Sequence, residues 1–444
     1  MLSDPCPQRI GASPVIPNER PVIANSLWAA TANRIPDYPA LTGVQNTDVA
    51  VIGGGYTGLS AALHLAEAGV RVTLLEAEQP GWGASGRNGG QINPGLKDGP
   101  SGIMAKFGPE QGRRMAEMAG DAADLVFALI DTHQIACDAV RPGWIRAAHT
   151  EKTLRDLHAL AEDWHTLGAP VDALDRAAIT RITGTDTYLG GLIDRRGGNL
   201  HPLNYALGLA DAAGRAGAVI HGQSPVDAID RDGARYRLKT VRGVLGADTV
   251  LICTNAYSGD LERPLGRSVL PVRSVQVATA PLSDNLRASI LPDRHALSDA
   301  RRLLLYFRLD AEGRFVMGGR GTYNDGSTRR QIARLKAVTS QLFPQLSGVE
   351  WQHAWGGFVA LTRDHYPHLH EIAPGLMAGL GYNGRGVAIA TAMGRVLARW
   401  ASGTPPKDLD FPVTPVAPLP FSFARTLAVE AEILRLRLLD QLGL

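Results

Sequence analysis

A run of glycines near the start of the chain has the spacing of a dinucleotide-binding turn. Residues 47–52 are apolar and β-branched at their centre, which is typical of a buried strand. The residues that follow match GxGxxG and are Gly53, Gly54, Gly55, Tyr56, Thr57 and Gly58. In this pattern the first glycine permits a tight turn, the second lets the backbone approach a pyrophosphate, and the third lets a helix pack closely on the strand. The start of that helix offers unpaired N–H groups to phosphates.

The residues after the turn agree with this interpretation. A helical apolar pattern ends at Gly69, and a second strand over residues 70–75 leads into Glu76. Glu76 lies 21 residues after Gly55, where an acidic side chain accepts hydrogen bonds from the adenosine ribose. It argues against a 2′-phosphate, because two anions would repel each other there. The fingerprint alone does not separate FAD from NAD.

Two further glycine-rich segments favour FAD. The first is polar as well as glycine-rich, so its backbone can lie against a large flat ligand; it contains Ala84, Ser85, Arg87, Asn88, Gly89, Gly90 and Gln91. The second leads into a predicted helix over residues 388–401 and contains Gly381, Tyr382, Asn383, Gly384, Arg385, Gly386 and Val387. A helix start beside an arginine can stabilise the negative charge of a reduced flavin ring.

One predicted strand carries candidates for substrate binding. Residues 303–309 and 314–317 read as two strands joined by a turn, and period-two geometry puts Tyr306 and Arg308 on one face. Arg308 would bind a carboxylate through its fork-shaped guanidinium if that face lines the site. The alternative is a solvated arginine on the outer face of the sheet. Arg320 is a second candidate for the same role.

Four histidines cluster late in the sequence, at positions 353, 365, 368 and 370. Their spacing matches no HExxH pattern, so no metal site is predicted. We place His365 among the candidates for the active-site pocket, with an exposed or loop-bonded histidine as the alternative.

Composition excludes several classes of protein. The 444 residues carry 45 basic and 43 acidic side chains, which gives no electrostatic reason to expect nucleic acid or an anionic membrane as partner. Three cysteines without a CxxC pair exclude a disulfide scaffold and a thiolate zinc site. No apolar run is long enough to span a membrane, and the first 45 residues lack a secretory pattern. We therefore expect a cytoplasmic protein, whose oligomeric state stays open.

Taken together, these segments resemble the D-amino-acid-oxidase-type flavoenzymes, which include glycine, sarcosine and gamma-glutamylputrescine oxidases. The resemblance rests on the Gly53 fingerprint, GASGRNGG at 83–90 and GYNGRGV at 381–387. Residues 248–256 and 355–367 are similar to two further family segments, and the match covers about residues 46–405. The GRNGG variant is most similar to the gamma-glutamylputrescine oxidoreductase branch.

The resemblance implies further contacts with the cofactor. It adds Val226, Thr254, Asn255 and Gly356 to the predicted FAD-binding residues. Family members that attach flavin covalently use a late cysteine or an early histidine, but this chain has no cysteine after Cys253 and no histidine in residues 77–132. Non-covalent FAD is therefore implied.

The resemblance also implies the fold, an α/β protein in which a Rossmann-type FAD-binding domain interleaves with an α+β substrate domain built on an antiparallel sheet. The FAD-binding domain would comprise residues 46–101, 195–265 and 354–405, and the substrate domain residues 102–194 and 266–353. Alternation at 274–279 and 314–318 agrees with an antiparallel sheet. Residues 1–45 form an N-terminal extension, and residues 406–444 an extended strap and an amphipathic helix. That helix could dock on the body, dimerise or touch a membrane.

The implied activity is oxidation of the C–N bond of a small amine or amino acid to an imine, with molecular oxygen reduced to hydrogen peroxide. A neutral amine can lose hydride directly, so no dedicated acid–base pair is expected. One alternative is a dehydrogenase that passes electrons to a carrier or quinone. The other is a flavin-containing subunit without catalysis of its own.

Overall fold

The computed structural model describes residues 26–34, 36–321, 325–419 and 435. The helices are α1 (Leu27–Ala30), α2 (Tyr56–Glu67), α3 (Pro100–Phe107), α4 (Pro109–His133), α5 (Glu151–His165), α6 (Arg176–Thr183), α7 (Pro202–Arg215), α8 (Arg263–Gly266), α9 (Asp284–Ser289), α10 (Asp325–Leu342) and α11 (Gly386–Ala401). The strands are β1 (Gly43–Ile52), β2 (Val72–Leu75), β3 (Gln91–Ile92), β4 (Trp144–Ala148), β5 (Val171–Leu174), β6 (Gly190–Asp194), β7 (Gly198–Asn199), β8 (Val219–His221), β9 (Ala228–Asp232), β10 (Arg235–Lys239), β11 (Gly243–Ile252), β12 (Leu270–Pro281), β13 (Ala296–Asp299), β14 (Leu305–Leu309), β15 (Arg314–Arg320), β16 (Trp351–Leu361), β17 (His368–Ala373) and β18 (Leu376–Leu380).

The first large sheet has the parallel centre of a Rossmann-type fold. Its strand order is β17-β18-β11-β1-β2-β8, with β10 and β9 added at β11. Strands β18, β11, β1, β2 and β8 are mutually parallel. Val49 and Val51 pack against helices α2, α4, α7 and α11, while Ala50 and Ile52 face the opposite core. Burial on both faces explains why this strand reads as a continuous apolar run.

Strand β1 begins earlier than the sequence predicted. It starts at Gly43 rather than Thr47, and its first four residues are mostly exposed. They pair in parallel with the start of β11, where Gly43 lies opposite Gly243. Backbone pairing supports this polar stretch without any apolar signal, and hydrophobicity therefore could not reveal it.

The second large sheet has the order β16-β12-β15-β14-β13-β4-β6-β5. Every pair is antiparallel except β13–β4, and the two stretches whose alternation predicted an antiparallel sheet, 274–279 and 314–318, lie in β12 and β15, which pair with each other. One face packs on α10 through a core that includes Phe307, Phe315 and Phe343. The other face is turned towards the first sheet. The mixed α/β architecture predicted from the sequence is confirmed.

The chain alternates between the two sheets. Strands of the first sheet come from residues 43–75, 219–252 and 368–380, and those of the second from residues 144–194 and 270–361. The predicted boundary at residue 354 falls inside β16, which belongs to the second sheet along its whole length. Helix α4, predicted in the substrate domain, packs with α11 and contributes to the first core, because its small residues allow close approach. The division into domains itself stays a prediction.

The C-terminal strap is described as far as Leu419. It makes a short 3₁₀ turn at Pro406–Asp408, and the Thr414 N–H then donates to the Leu369 carbonyl at 2.9 Å. The predicted helix after Phe421 and residues 1–25 of the N-terminal extension lie outside the described residues. Within the described part of the chain, no helix combines the length and apolar character needed to cross a membrane.

Candidate active site

The glycine turn after β1 has the close packing that its spacing requires. Gly53 has φ +107°, and a Cβ there would lie 3.0 Å from the Cys253 carbonyl oxygen. A Cβ on Gly58 would lie only 2.0 Å from the Gly53 carbonyl oxygen. Any side chain at position 58 would therefore push α2 away from β1. The N–H of Tyr56, the first residue of α2, donates to Ser85 Oγ at 3.0 Å, which ties the turn to the next glycine-rich segment.

The carboxylate of Glu76 lies beside this turn, at the end of β2. Its Oε2 accepts from the Gly54 N–H at 2.6 Å and its Oε1 from the Glu78 N–H at 2.9 Å. Burial raises the pKa of Glu76, and these two backbone donors oppose that shift. The Glu76 carbonyl accepts from Ser224 N–H at 2.8 Å, which brings the segment that contains half-buried Val226 to the same edge of the sheet.

The second predicted glycine turn follows β18 at this edge. Gly381 has φ +81°, and its N–H donates to Asn255 Oδ1 at 2.9 Å. Thr57 Oγ1 donates to the Tyr382 hydroxyl at 2.7 Å, so the two glycine turns are joined directly. Asn383, also in the left-handed region, accepts from Thr362 N–H at 3.0 Å. Carboxyl ends of parallel strands that meet in this way form the ligand-binding edge of a doubly wound sheet.

A cavity of about 360 Å³ separates this edge from the second sheet. The predicted FAD-binding residues that line it are Ala84, Arg87, Asn88, Gly89, Gln91, Asn383, Gly384, Arg385, Gly386 and Val387. Thr254 and Gly356 do not line it: Thr254 Oγ1 bonds Ser258 Oγ at 2.8 Å, and Gly356 packs on β12 while its neighbour Gly357 lines the cavity. Two of the three glycine-rich segments thus line one cavity; the residues of the Gly53 turn do not line it, but hydrogen bonds to Ser85 and Tyr382 tie that turn to the other two segments.

Three of the four predicted catalytic candidates also line the cavity: Tyr306, Arg320 and His365. The Tyr306 hydroxyl bonds Ser274 Oγ at 2.7 Å, and burial raises the pKa of this phenol to about 12. Burial lowers the pKa of Arg320, and no carboxylate among the described residues opposes this shift. Burial together with the charges of Lys97 and Arg320 lowers the pKa of His365, whose φ of +63° is unusual for a histidine. Their roles stay predictions.

The structure places Arg308, the fourth predicted catalytic candidate, outside the lining of the cavity. Arg308 does share a face with Tyr306, but it is only 2% exposed and does not line the cavity. Its guanidinium donates to the carbonyls of Gly89 at 2.6 Å, Leu200 at 2.8 Å and Leu309 at 3.3 Å, and to Asn199 Oδ1 at 3.1 Å. Burial lowers the pKa of Arg308 to about 10. Protein acceptors already occupy the guanidinium of Arg308. These hydrogen bonds hold the wall of the cavity in place.

Sequence reasoning missed Arg146, which lies on β4 and lines the cavity. Burial lowers the pKa of Arg146. Burial and the nearby charge of Arg146 together lower the pKa of Arg385 to about 9, and the buried Arg385 Nε atom has no hydrogen-bond partner among the described residues. The neighbours Ile145 and Ala147 face the opposite core. A lone charge at an alternating position of an apolar strand was the available signal.

The remaining late histidines have local partners. His368 Nε2 lies 3.0 Å from Asp364 Oδ1, and His370 Nδ1 lies 2.7 Å from the Thr414 carbonyl oxygen. Among the residues that the structure describes, no group of three or more histidine, cysteine, aspartate or glutamate side chains is arranged to hold a metal ion.

Comparison with known proteins gives the class to which this fold and cavity belong. The chain belongs to the DAO family, FAD dependent oxidoreductase, whose model matches residues 48–400. It is thus an FAD-dependent oxidoreductase that acts on CH–NH groups of amines or amino acids. The glycine turns, the carboxylate of Glu76 and the walls of the cavity fit this cofactor.

Individual relatives are similar over most of their length. Gamma-glutamylputrescine oxidoreductase from Escherichia coli (strain K12) is 35% identical over 402 residues, covering 89% of this chain and 93% of the relative. "Probable oxidoreductase OrdL" from Haemophilus influenzae is 34% identical, covering 84% and 87%. The crystal structure of glycine oxidase from Geobacillus kaustophilus matches with a TM-score of 0.69 at 23% identity, covering 83% of this chain and 99% of that one, and so shows the same fold.

The position of Glu76 leads to a prediction about FAD affinity. We expect Glu76→Gln to weaken FAD binding about tenfold or more, because hydrogen bonds to a charged acceptor contribute roughly 1.5–3 kcal/mol. Glutamine also offers one acceptor oxygen where the carboxylate now serves two backbone N–H groups. Titration of apoprotein with FAD measures the effect, with Glu117→Gln on the exposed side of α4 as control. Equal affinity in the two variants would show that Glu76 does not hold the ribose.

Proposed function

We propose that the protein oxidises the C–N bond of a carboxylate-bearing secondary amine or gamma-glutamylated amine to an imine. Water then adds to the imine and gives a carbonyl compound and an amine. The two electrons and two protons removed from the substrate end on dioxygen, which is reduced to hydrogen peroxide. The similarity to gamma-glutamylputrescine oxidoreductase supports this substrate class.

The charge of the cavity carries the proposal. Its described lining includes Lys97 and seven arginines, at positions 87, 146, 273, 301, 302, 320 and 385, but Asp299 is the sole carboxylate among them. Asp299 is buried and already ion-paired with Arg301, and it accepts from the Leu305 N–H at 2.9 Å. A cavity with such an excess of positive charge favours a substrate that brings a carboxylate.

Arg320 and Arg146 are the proposed carboxylate anchors. Both are half-buried, both line the cavity, and burial lowers the pKa of each. A guanidinium in this setting gains most from a bidentate carboxylate partner. Tyr306, held by Ser274 from the side, would fix the substrate laterally.

The same positive field bears on the protonation of the substrate. A nearby cation disfavours a second cation, so the cavity lowers the pKa of a bound ammonium group and favours the neutral amine. Burial and the charges of Lys97 and Arg320 lower the pKa of His365 as well, so this side chain favours its neutral form and adds little to the positive charge of the cavity. When bound, FAD supplies the two-electron acceptor for the hydride of the neutral amine. This division of labour requires no further acid–base pair.

We also propose that FAD is held non-covalently, since no cysteine is among the described residues that line the cavity. We further propose the cytoplasmic location that the sequence leads us to expect. Its support is the low cysteine content without a CxxC pair.

A two-part experiment tests the proposal. Holoenzyme is screened with amines that do or do not carry a carboxylate, and hydrogen peroxide release is measured. The flavin is then reduced anaerobically with the best substrate, and air is admitted. Rapid bleaching and rapid return of the flavin colour with peroxide formation are expected. Slow return would instead indicate a dehydrogenase, and no bleaching by any amine would favour a non-catalytic flavin subunit.

A further inference from the structure

Three successive carbonyl groups in the loop after Gly86 are held from behind by side chains of distant elements. The Arg87 carbonyl accepts from Gln276 Nε2 at 2.6 Å and from Trp355 Nε1 at 2.9 Å. The Asn88 carbonyl accepts from Trp28 Nε1 at 2.8 Å, and the Gly89 carbonyl from Arg308 Nε at 2.6 Å. All three loop residues line the cavity. The donors therefore fix the orientation of each peptide plane in this wall.

Because each peptide is planar, the fixed carbonyl groups also fix the directions of the N–H groups in the same peptides. In a trans peptide the N–H of one residue points opposite to the carbonyl of the residue before it. The Asn88 N–H donates to the Ala84 carbonyl at 3.1 Å, and the Gly90 N–H to Asn88 Oδ1 at 2.8 Å. The Gly89 N–H points away from Trp28 and makes no hydrogen bond within the described residues. It is the one donor of the three that is left for a ligand.

Trp28 is tightly packed beside the Asn88 carbonyl. It is 1% exposed and packs edge-on against His201 at 5.0 Å and Trp355 at 5.6 Å between ring centroids. The Arg308 guanidinium lies 4.8 Å from the centre of its ring. A buried indole N–H needs an acceptor, and the Asn88 carbonyl supplies it. The short helix α1, part of the predicted N-terminal extension, thus reaches the wall of the cavity.

We propose that Trp28 is a positioning residue for the flavin site, which orients the Asn88–Gly89 peptide so that the Gly89 N–H donates to an acceptor atom of bound FAD. Glycine is required at position 89, because a Cβ there would lie 2.9 Å from the ring of Tyr306. The loop can thus approach a flat ligand closely on one side, while hydrogen bonds from other elements hold its carbonyls on the other side. This role is independent of which amine is oxidised.

Amide hydrogen exchange at single-residue resolution tests the proposal without any variant. In wild-type protein the Gly89 amide is expected to exchange at least tenfold more slowly with FAD bound than in the apoprotein. The Gly90 amide, which already has an acceptor, serves as internal reference and is expected to change much less. Equal exchange of the Gly89 amide with and without FAD would overturn the proposal.

A matched pair of variants then assigns the effect to Trp28. Trp28→Phe keeps a ring but removes the donor, so the FAD dissociation constant is expected to rise about fivefold to tenfold and the protection of the Gly89 amide to fall. The control is Trp164→Phe, which changes another buried tryptophan, 5% exposed, in a separate core. Both apoproteins are expected to unfold at similar temperatures. The same FAD affinity in both variants would reduce Trp28 to a packing residue and contradict the proposal.

Discussion

Replacing Arg320 by methionine is expected to lower kcat/KM for a carboxylated amine about a hundredfold, without loss of thermal stability. Loss of one partner of a buried, hydrogen-bonded charge pair costs roughly 2–5 kcal/mol, most of it in the complex with substrate. The free protein is not expected to suffer, because no described carboxylate pairs with this half-buried guanidinium and burial already lowers its pKa. Steady-state peroxide production by wild type and variant measures the change.

The choice of substrates makes this test specific. A carboxylated amine and its decarboxylated analogue are compared, and Arg320→Met is expected to reduce the preference for the carboxylated one. Arg237→Met, at an exposed position of strand β10, serves as control. If the preference is the same in all three proteins, Arg320 is not the anchor and Arg146 takes its place.

Replacing Arg308 by methionine is expected to reduce stability rather than substrate preference. The free energy of unfolding should fall by about 3 kcal/mol. The substitution strands the buried carbonyl oxygens of Gly89 and Leu200, and each such group costs roughly 1–3 kcal/mol when it loses its donor. Thermal unfolding of the apoprotein measures the loss, with Arg320→Met as the matched control. Substrate preference is expected to stay as in wild type. An apoprotein as stable as wild type would show that water replaces the guanidinium at these carbonyls.

The comparison of these two arginines shows what the sequence could predict. Alternation along β14 correctly placed Tyr306 and Arg308 on one face, because the period of a strand is a local property. What that face meets is not local. Three of the four acceptors of Arg308 belong to residues 89, 199 and 200, which lie more than one hundred positions earlier in the chain. No spacing within the strand could indicate that they saturate the guanidinium.

The same distinction explains the rest of the site. The glycine turns around Gly53 and Gly381 could be predicted, since a tight turn and a helix start leave a mark within a dozen residues. The position of Arg146 beside Arg385 requires knowledge of how the two sheets face each other. Trp28 stands in a short helix whose sequence gives no hint of its acceptor at Asn88. Long-range contacts decide which side chains remain available for a ligand.

The contact between Trp28 and Trp355 also limits when this part of the structure can form during translation. These rings pack 5.6 Å apart between centroids, although about 330 residues separate them in the chain. At a synthesis rate of roughly 5–20 residues per second, Trp28 is added to the chain about 16 to 65 seconds before its partner. The wall behind Asn88 therefore cannot close during translation of the first half of the chain. We therefore expect FAD to reach its final setting only after Trp355 has been added to the chain.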